Sequence, residues 1–182
     1  MQIHFNTAFE NMSAEEVEKW ISFNKNQLIG SAVFTLNNSL TSKIVRWAES
    51  WRCKEKDFIP SHTGSIIEKD GMIYLFDMKP PRAAIQPLAN YICNTKDTFV
   101  LVMRNFQIDT RMFSLNIAYH IGEFYPYLSA IRSVFTKRQT KWVRHCSELH
   151  LRELQKQGIL TKLNPEITPD ELYHALIEEE KK

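Results

Sequence analysis

A chain of 182 residues is long enough to bury about 70% of its unfolded surface in one core, with no need of disulfide or metal staples. Its 43% apolar, 12% aromatic and 24% charged residues, with five glycines and no low-complexity run, argue against a disordered or fibrous protein. A net charge of +2 is too small a field to single out nucleic acid or a membrane surface as partner. Cys53, Cys93 and Cys146 are odd in number and widely spaced, which suits free thiols in a reducing compartment, and no CxxC pair suggests zinc. The N-terminal stretch MQIHFNTAFENMS lacks the basic start and apolar core of a signal peptide, and nowhere does an apolar run reach membrane-spanning length. The expectation is a cytoplasmic protein without integral membrane association, folded as a single domain over residues 1–182.

In chain order, Ser13-Ala14-Glu15-Glu16 has the capping-box pattern, and Val17, Trp20 and Ile21 follow at helical spacing, predicting a helix over about 14–24. The run Leu28 to Leu36 is β-rich and apolar, hence a buried strand, broken by Asn37-Asn38. Ile44, Trp47, Ala48 and Trp51 recur on one helical face. Two β-prone runs, Ser61 to Glu68 and Met72 to Met78, then flank Lys69-Asp70-Gly71. An Asp-Gly pair tolerates the positive φ angles of a type I′ turn, so a hairpin is predicted. With Asp70 and Gly71 as its two turn residues, Gly64 faces Asp77 and His62 lies diagonally from Asp77 on the same sheet face.

Residues 82–86 suggest an edge strand, Leu88 to Cys93 a short helix, and TFVLVMR from Thr98 to Arg104 a central strand. Thr110 can cap a helix carrying Met112, Phe113, Ile117 and Ile121, ended by Gly122 and followed by the aromatic loop Phe124-Tyr125-Pro126-Tyr127. Trp142 to Leu149 leads into a leucine-rich helix that stops at Gly158. Thr168-Pro169-Asp170-Glu171 combines a capping box with proline at the first helical position of a closing helix. The fold class expected is α+β, with a mainly antiparallel sheet packed against the helix that carries Cys146.

A cysteine that opens a helix meets unpaired backbone N–H groups and the positive end of the helix dipole, both of which favour a thiolate. Thiol-based hydrolysis further requires a base, a group to orient that base, and donors for an oxyanion. His62 begins a strand beside the small pair Thr63 and Gly64, which leaves room for a substrate or a helix end. Asp77 interrupts the apolar run MIYLFDM, so on an inner face its carboxylate needs a partner such as an imidazole N–H. Tyr74 is the alternative third member if the hairpin register differs. Tyr125 could offer a hydroxyl to an oxyanion, with Tyr127 beside it on the substrate side. Each of these residues taken alone has a plainer reading, as a buried thiol, a structural histidine, a solvent-facing carboxylate or aromatic packing.

Taken jointly, the segments IGSAVFTLNNSLTSKIVRWAES, SHTGSII, DGMIYLFD, GEFYPY and HCSELHLRELQKQG resemble the permuted branch of the NlpC-type, papain-like cysteine hydrolases, to which YiiX-like and YaeF-like bacterial proteins belong. The resemblance covers roughly residues 27–158, leaves 1–25 as an N-terminal helical extension, and takes 165–182 as the closing helix. It implies a permuted papain-like fold with Cys146 as nucleophile, His62 as base, Asp77 as the orienting residue and Tyr125 near the oxyanion. The activity implied is cleavage of an amide, in a peptide or related acyl compound, through a thioester, with neither metal nor organic cofactor. A lipid ester hydrolase or acyltransferase of the same fold and a catalytically inactive binding module are the alternatives.

Two further features compete. His145, Cys146 and His150 raise a metal site, since Cys146 and His150 share a helix face, but no fourth ligand stands at motif spacing. Arg132, Lys137, Arg138, Lys141 and Arg144 form a basic stretch suited to the rim of an anionic substrate site; without stacked aromatics it does not imply nucleic acid.

Overall fold

Strands that are apolar along their whole length must be covered on both faces, and the central runs of this chain are of that kind. The computed structural model describes residues 2–36, 58–79, 81–124 and 146–179. Six strands, β1 (Gln2–Phe5), β2 (Ala32–Leu36), β3 (His62–Lys69), β4 (Met72–Lys79), β5 (Arg82–Pro87) and β6 (Thr98–Met103), form one sheet in the order β1-β6-β2-β3-β4-β5, every pair antiparallel. Five α-helices accompany it among the described residues: α1 (Ala14–Leu28), α2 (Leu88–Asn94), α3 (Thr110–Ala118), α4 (Cys146–Gln155) and α5 (Pro169–Glu179). The fold class is therefore α+β, as the alternation of periods predicts.

Side-chain alternation divides the core between the two sheet faces. Val33, Ile66, Leu75, Leu101 and Met103 point toward α1 and α2, where they meet Val17, Ile21, Leu28 and Leu88. Ala32, Phe34, Ile67, Phe76, Val100 and Val102 point the other way, toward Phe113 and Ile117 of α3, Leu149 and Leu154 of α4, and Leu172 and Leu176 of α5. The helix expected over 42–51 lies outside the described residues.

Local chemistry accounts for most element ends. Ser13 and Glu16 form the expected reciprocal capping box on α1. This helix runs on to Leu28, beyond the expected end near residue 24, and is turned by Gly30 at φ +84°. Strand β2 accordingly begins at Ala32 rather than Leu28, because Leu28 is fully buried as the last helical residue. Asp109, not Thr110, caps α3, its side chain accepting from the Met112 N–H, and the helix ends at Ala118. Thr168 and Glu171 cap α5 reciprocally, with Pro169 first in the helix. The N-terminal residues do more than extend the chain: β1 adds an edge to β6, and Phe9 packs into the α1 side of the core. A strand of four residues gives too little periodicity to be read from sequence.

The hairpin has the register predicted from its Asp-Gly pair. Lys69 faces Met72 and Gly64 faces Asp77, and Asp70 and Gly71 both hold positive φ, at 51° and 83°, as a type I′ turn requires. The segment after α3 flanks β5, through Ala83 N–H to Glu123 O and Gly122 N–H to Ala83 O. On the opposite flank Arg104 follows β6, and its guanidinium donates to the carbonyls of Asn26, Ile29 and Phe106, fastening the end of α1 to the sheet.

His150 of α4 is fully buried, and burial depresses its pKa to about 4 from the ordinary 6.5. An unfolded chain binds the proton more readily, so stability is complete above pH 6.5 and is lost as pH falls toward 4. The loss reaches about 3 kcal/mol. Urea unfolding of the wild type and of His150→Leu between about pH 7 and 4 is expected to show a shallower acid-side decline for the variant.

Candidate active site

Three of the side chains singled out in the sequence meet at the N-terminal end of β3. His62 is the first residue of that strand, Asp77 sits near the end of β4, and Cys146 is the first residue of α4. Gly64 pairs with Asp77 in the ladder, so His62, two residues earlier, is the diagonal neighbour of Asp77 on the same face. The diagonal is within reach of an imidazole. His62 Nε2 forms a hydrogen bond with Asp77 Oδ1, with the two side chains only 12% and 10% exposed.

The meeting of sulfur and imidazole depends on where the ladder stops. Pairing of β3 with β4 closes at Gly64 and Asp77, although β4 continues alongside β5 to Lys79. One residue before Gly64, the Thr63 N–H goes to the Cys146 sulfur instead of to a strand. By alternation His62 belongs to the α1 face and α4 lies on the other. At this open end of the ladder the imidazole and the buried thiol come into hydrogen-bond contact. With Nε2 committed to Asp77, Nδ1 is the ring nitrogen that serves the sulfur.

Burial disfavours charge on both groups, and their mutual attraction overrides it. For His62, burial pulls the pKa down, but the Cys146 and Asp77 charges and the hydrogen bonds to both raise it to about 10. For Cys146, burial pushes the thiol up and Asp77 adds to that. The His62 charge, its hydrogen bond and the Thr63 N–H outweigh them, and the pKa lies below the ordinary value. Near neutral pH the favoured state is thus a thiolate beside an imidazolium, with Asp77 holding the far side of the ring.

Helix α4 is fixed at several points. Ser147 Oγ donates to the Ile167 carbonyl at 2.6 Å, tying the first helical turn to the segment before α5. His150 Nδ1 lies 2.8 Å from Ser65 Oγ on β3, a contact that sequence spacing gave no way to find. His150 thus faces a serine hydroxyl rather than sharing a ligand set with Cys146. Among the described residues no three His, Cys, Asp or Glu side chains cluster as a metal site.

Two sequence expectations change. Tyr74 pairs with Ile67 and, three residues from Asp77, points to the opposite face, where it packs on the α3, α4 and α5 core. It is not beside His62, and Asp77 is. Gly64 does not leave room for substrate: a Cβ there would lie 2.6 Å from Leu75 Cδ1 and 3.3 Å from the Phe76 carbonyl oxygen. The space is filled by a neighbouring leucine, and glycine allows β3 and β4 to close tightly beside the His62–Asp77 contact. Tyr125 and Tyr127, the basic stretch 132–144 and His145 lie outside the described residues.

Overpacking at this point has a measurable cost. Gly64→Ala is expected to lower unfolding stability by about 1–3 kcal/mol, because Leu75 is buried and cannot swing out freely. A urea denaturation midpoint equal to that of the wild type would refute the tight closure described.

No helix among the described residues is long and apolar enough to cross a membrane. Neither a protein-family model nor a curated protein matches the sequence, and a functional reading therefore rests on the arrangement of Cys146, His62 and Asp77 itself.

Proposed function

We propose that the protein is a cysteine hydrolase that cleaves an amide bond, in a peptide or related acyl compound, through a thioester on Cys146. The observation that carries this reading is a buried thiol hydrogen-bonded to an imidazole that is itself hydrogen-bonded to a carboxylate. Nucleophile, base and orienting group are then in series, which is the arrangement that thiol acyl transfer requires. In fold terms the proposal is a permuted papain-like protein of the NlpC type. An antiparallel sheet with the histidine strand beside the cysteine helix supports it.

In the first half-reaction the Cys146 thiolate adds to the substrate carbonyl, and the developing oxyanion is met by the Cys146 N–H at the helix start. His62, protonated at Nδ1, gives that proton to the departing amine as the C–N bond breaks. The enzyme is left as a thioester with a neutral imidazole. In the second half-reaction His62 takes a proton from water, the resulting hydroxide adds to the thioester, and collapse releases the acid and restores the thiolate–imidazolium pair. Asp77 keeps Nδ1 aimed at the reacting atoms throughout and stabilises the charged ring. Tyr125, if brought to the same end of β3, would supply a second oxyanion donor.

Reactivity reports the thiolate directly. Iodoacetamide is expected to alkylate Cys146 rapidly well below about pH 8, the range in which an ordinary cysteine is protonated. Turnover should fall as pH rises through about 10, where His62 loses the proton the leaving group needs. A Cys146 that reacts only above its ordinary pKa would remove the basis for catalysis.

Substitution separates the roles. Cys146→Ala is expected to abolish turnover with the circular dichroism spectrum unchanged, and His62→Ala to reduce kcat by about 10²–10⁴-fold. Mass spectrometry of the wild type after exposure to candidate amides and esters should find an acyl adduct on the peptide carrying Cys146. Retained turnover in Cys146→Ala would refute the assignment.

A further inference from the structure

The contact between Cys146 and His62 joins two elements whose relative position is fixed elsewhere, one turn further along α4. Cys146 and His150 are four residues apart on the helix, a rise of about 6 Å. Thr63 and Ser65 are two apart on β3, a rise of about 6.7 Å. These near-equal intervals are bridged at both ends, by the Thr63 N–H to the Cys146 sulfur and by His150 Nδ1 to Ser65 Oγ at 2.8 Å. Helix and strand therefore run alongside each other and are clamped at two points in matching register.

We propose that Ser65 and His150 are positioning residues, a buried polar latch that holds the Cys146 sulfur in hydrogen-bond register with His62. The inference rests on the function proposed above and names residues that this function did not assign. Both members are buried, Ser65 at 3% exposure and His150 at none, so the latch excludes water and has little slack. The Phe113 ring packs edge-on against the imidazole at 5.5 Å and holds it from the α3 side. An apolar contact in its place would tolerate sliding, whereas a hydrogen bond fails within a fraction of an ångström. A slip of α4 by one residue moves the sulfur about 1.5 Å, enough to lose contact with His62. Since burial keeps His150 uncharged down to a pH of about 4, the latch stays neutral where the thiolate works.

The test compares the pH dependence of iodoacetamide alkylation at Cys146, read by peptide mass, in the full-length wild type, Ser65→Ala, His150→Leu and His150→Gln, with urea unfolding of each alongside. Ser65→Ala and His150→Leu are expected to lose about tenfold or more of the rate near pH 6 and to recover part of it by about pH 10, above the ordinary thiol pKa. His150→Gln, which retains a group able to hydrogen-bond Ser65, should stay within about threefold of the wild type at both pH values. If Ser65→Ala does not fold, His150→Leu carries the same expectation, because it removes the partner of Ser65 while conserving bulk. A wild-type profile shifted to acid and matched by the latch variants, whatever their unfolding stability, overturns this inference alone. A wild type with no acid-side reactivity overturns both the inference and the proposed function.

Discussion

The site depends on the hydrogen-bonded pair of Cys146 and His62, two groups that burial by itself would leave uncharged. Each is penalised for charge in the interior, and each relieves the penalty of the other. That is why the thiol pKa falls while the imidazole pKa climbs to about 10. Asp77 adds a third charge on the far side of the ring, stabilising the imidazolium while opposing the thiolate. The balance tips toward the ion pair chiefly through the His62 charge and its hydrogen bond to the sulfur, and the Thr63 N–H adds to them. Removal of either partner would leave a buried group whose charge nothing nearby supports.

The sheet makes this pairing possible by ending its ladder early. Had β3 and β4 paired one residue further, the Thr63 N–H would serve a strand carbonyl and the end of β3 would be closed to α4. Instead the helix approaches from the side of Phe34, Ile67 and Val100, while His62 and Asp77 project by alternation with Ile66 and Leu75. A two-sided core thus does more than stabilise the fold. It brings a helix start and a strand start together at one end from opposite faces, and the Ser65–His150 contact sets their register.

Rigid surroundings suit such an arrangement. Ser147 is tied to the segment before α5, and Arg104 fastens the end of α1 to the strand that pairs with β2. Gly64 lets Leu75 lie flat across β3 beside the histidine. The Ser147 and Gly64 contacts fall within one or two residues of Cys146 and His62, where a small displacement matters most for chemistry.

Much of this was legible in the residues themselves, wherever the cause is local. The Asp-Gly pair set the hairpin turn and, through the period of two, placed His62 and Asp77 on one face. Capping boxes at Ser13 and Thr168 marked two helices, and the unbroken apolar run of β6 marked a strand buried on both sides. Boundaries were less secure where two readings were locally equal: Leu28 suits a helix end or a strand start, and only its burial on the α1 side of the sheet and the turn at Gly30 decide. The resemblance of the Cys146 and His62 segments to a family placed them in one site before any contact was visible. No periodicity or spacing could do so, because the distance between residues far apart in sequence is a property of packing. The same holds for His150, which by spacing suggested a metal ligand alongside Cys146 and in the fold turns to Ser65. What the sequence determined alone is most of the elements, β1 excepted, and, given the two-residue Asp-Gly turn, the placement of His62 and Asp77 on one face, each fixed within a few residues of chain. Tertiary structure alone decided which strand end α4 meets, and with it the charge on Cys146, because that charge depends on fields from groups that only the packed sheet brings near.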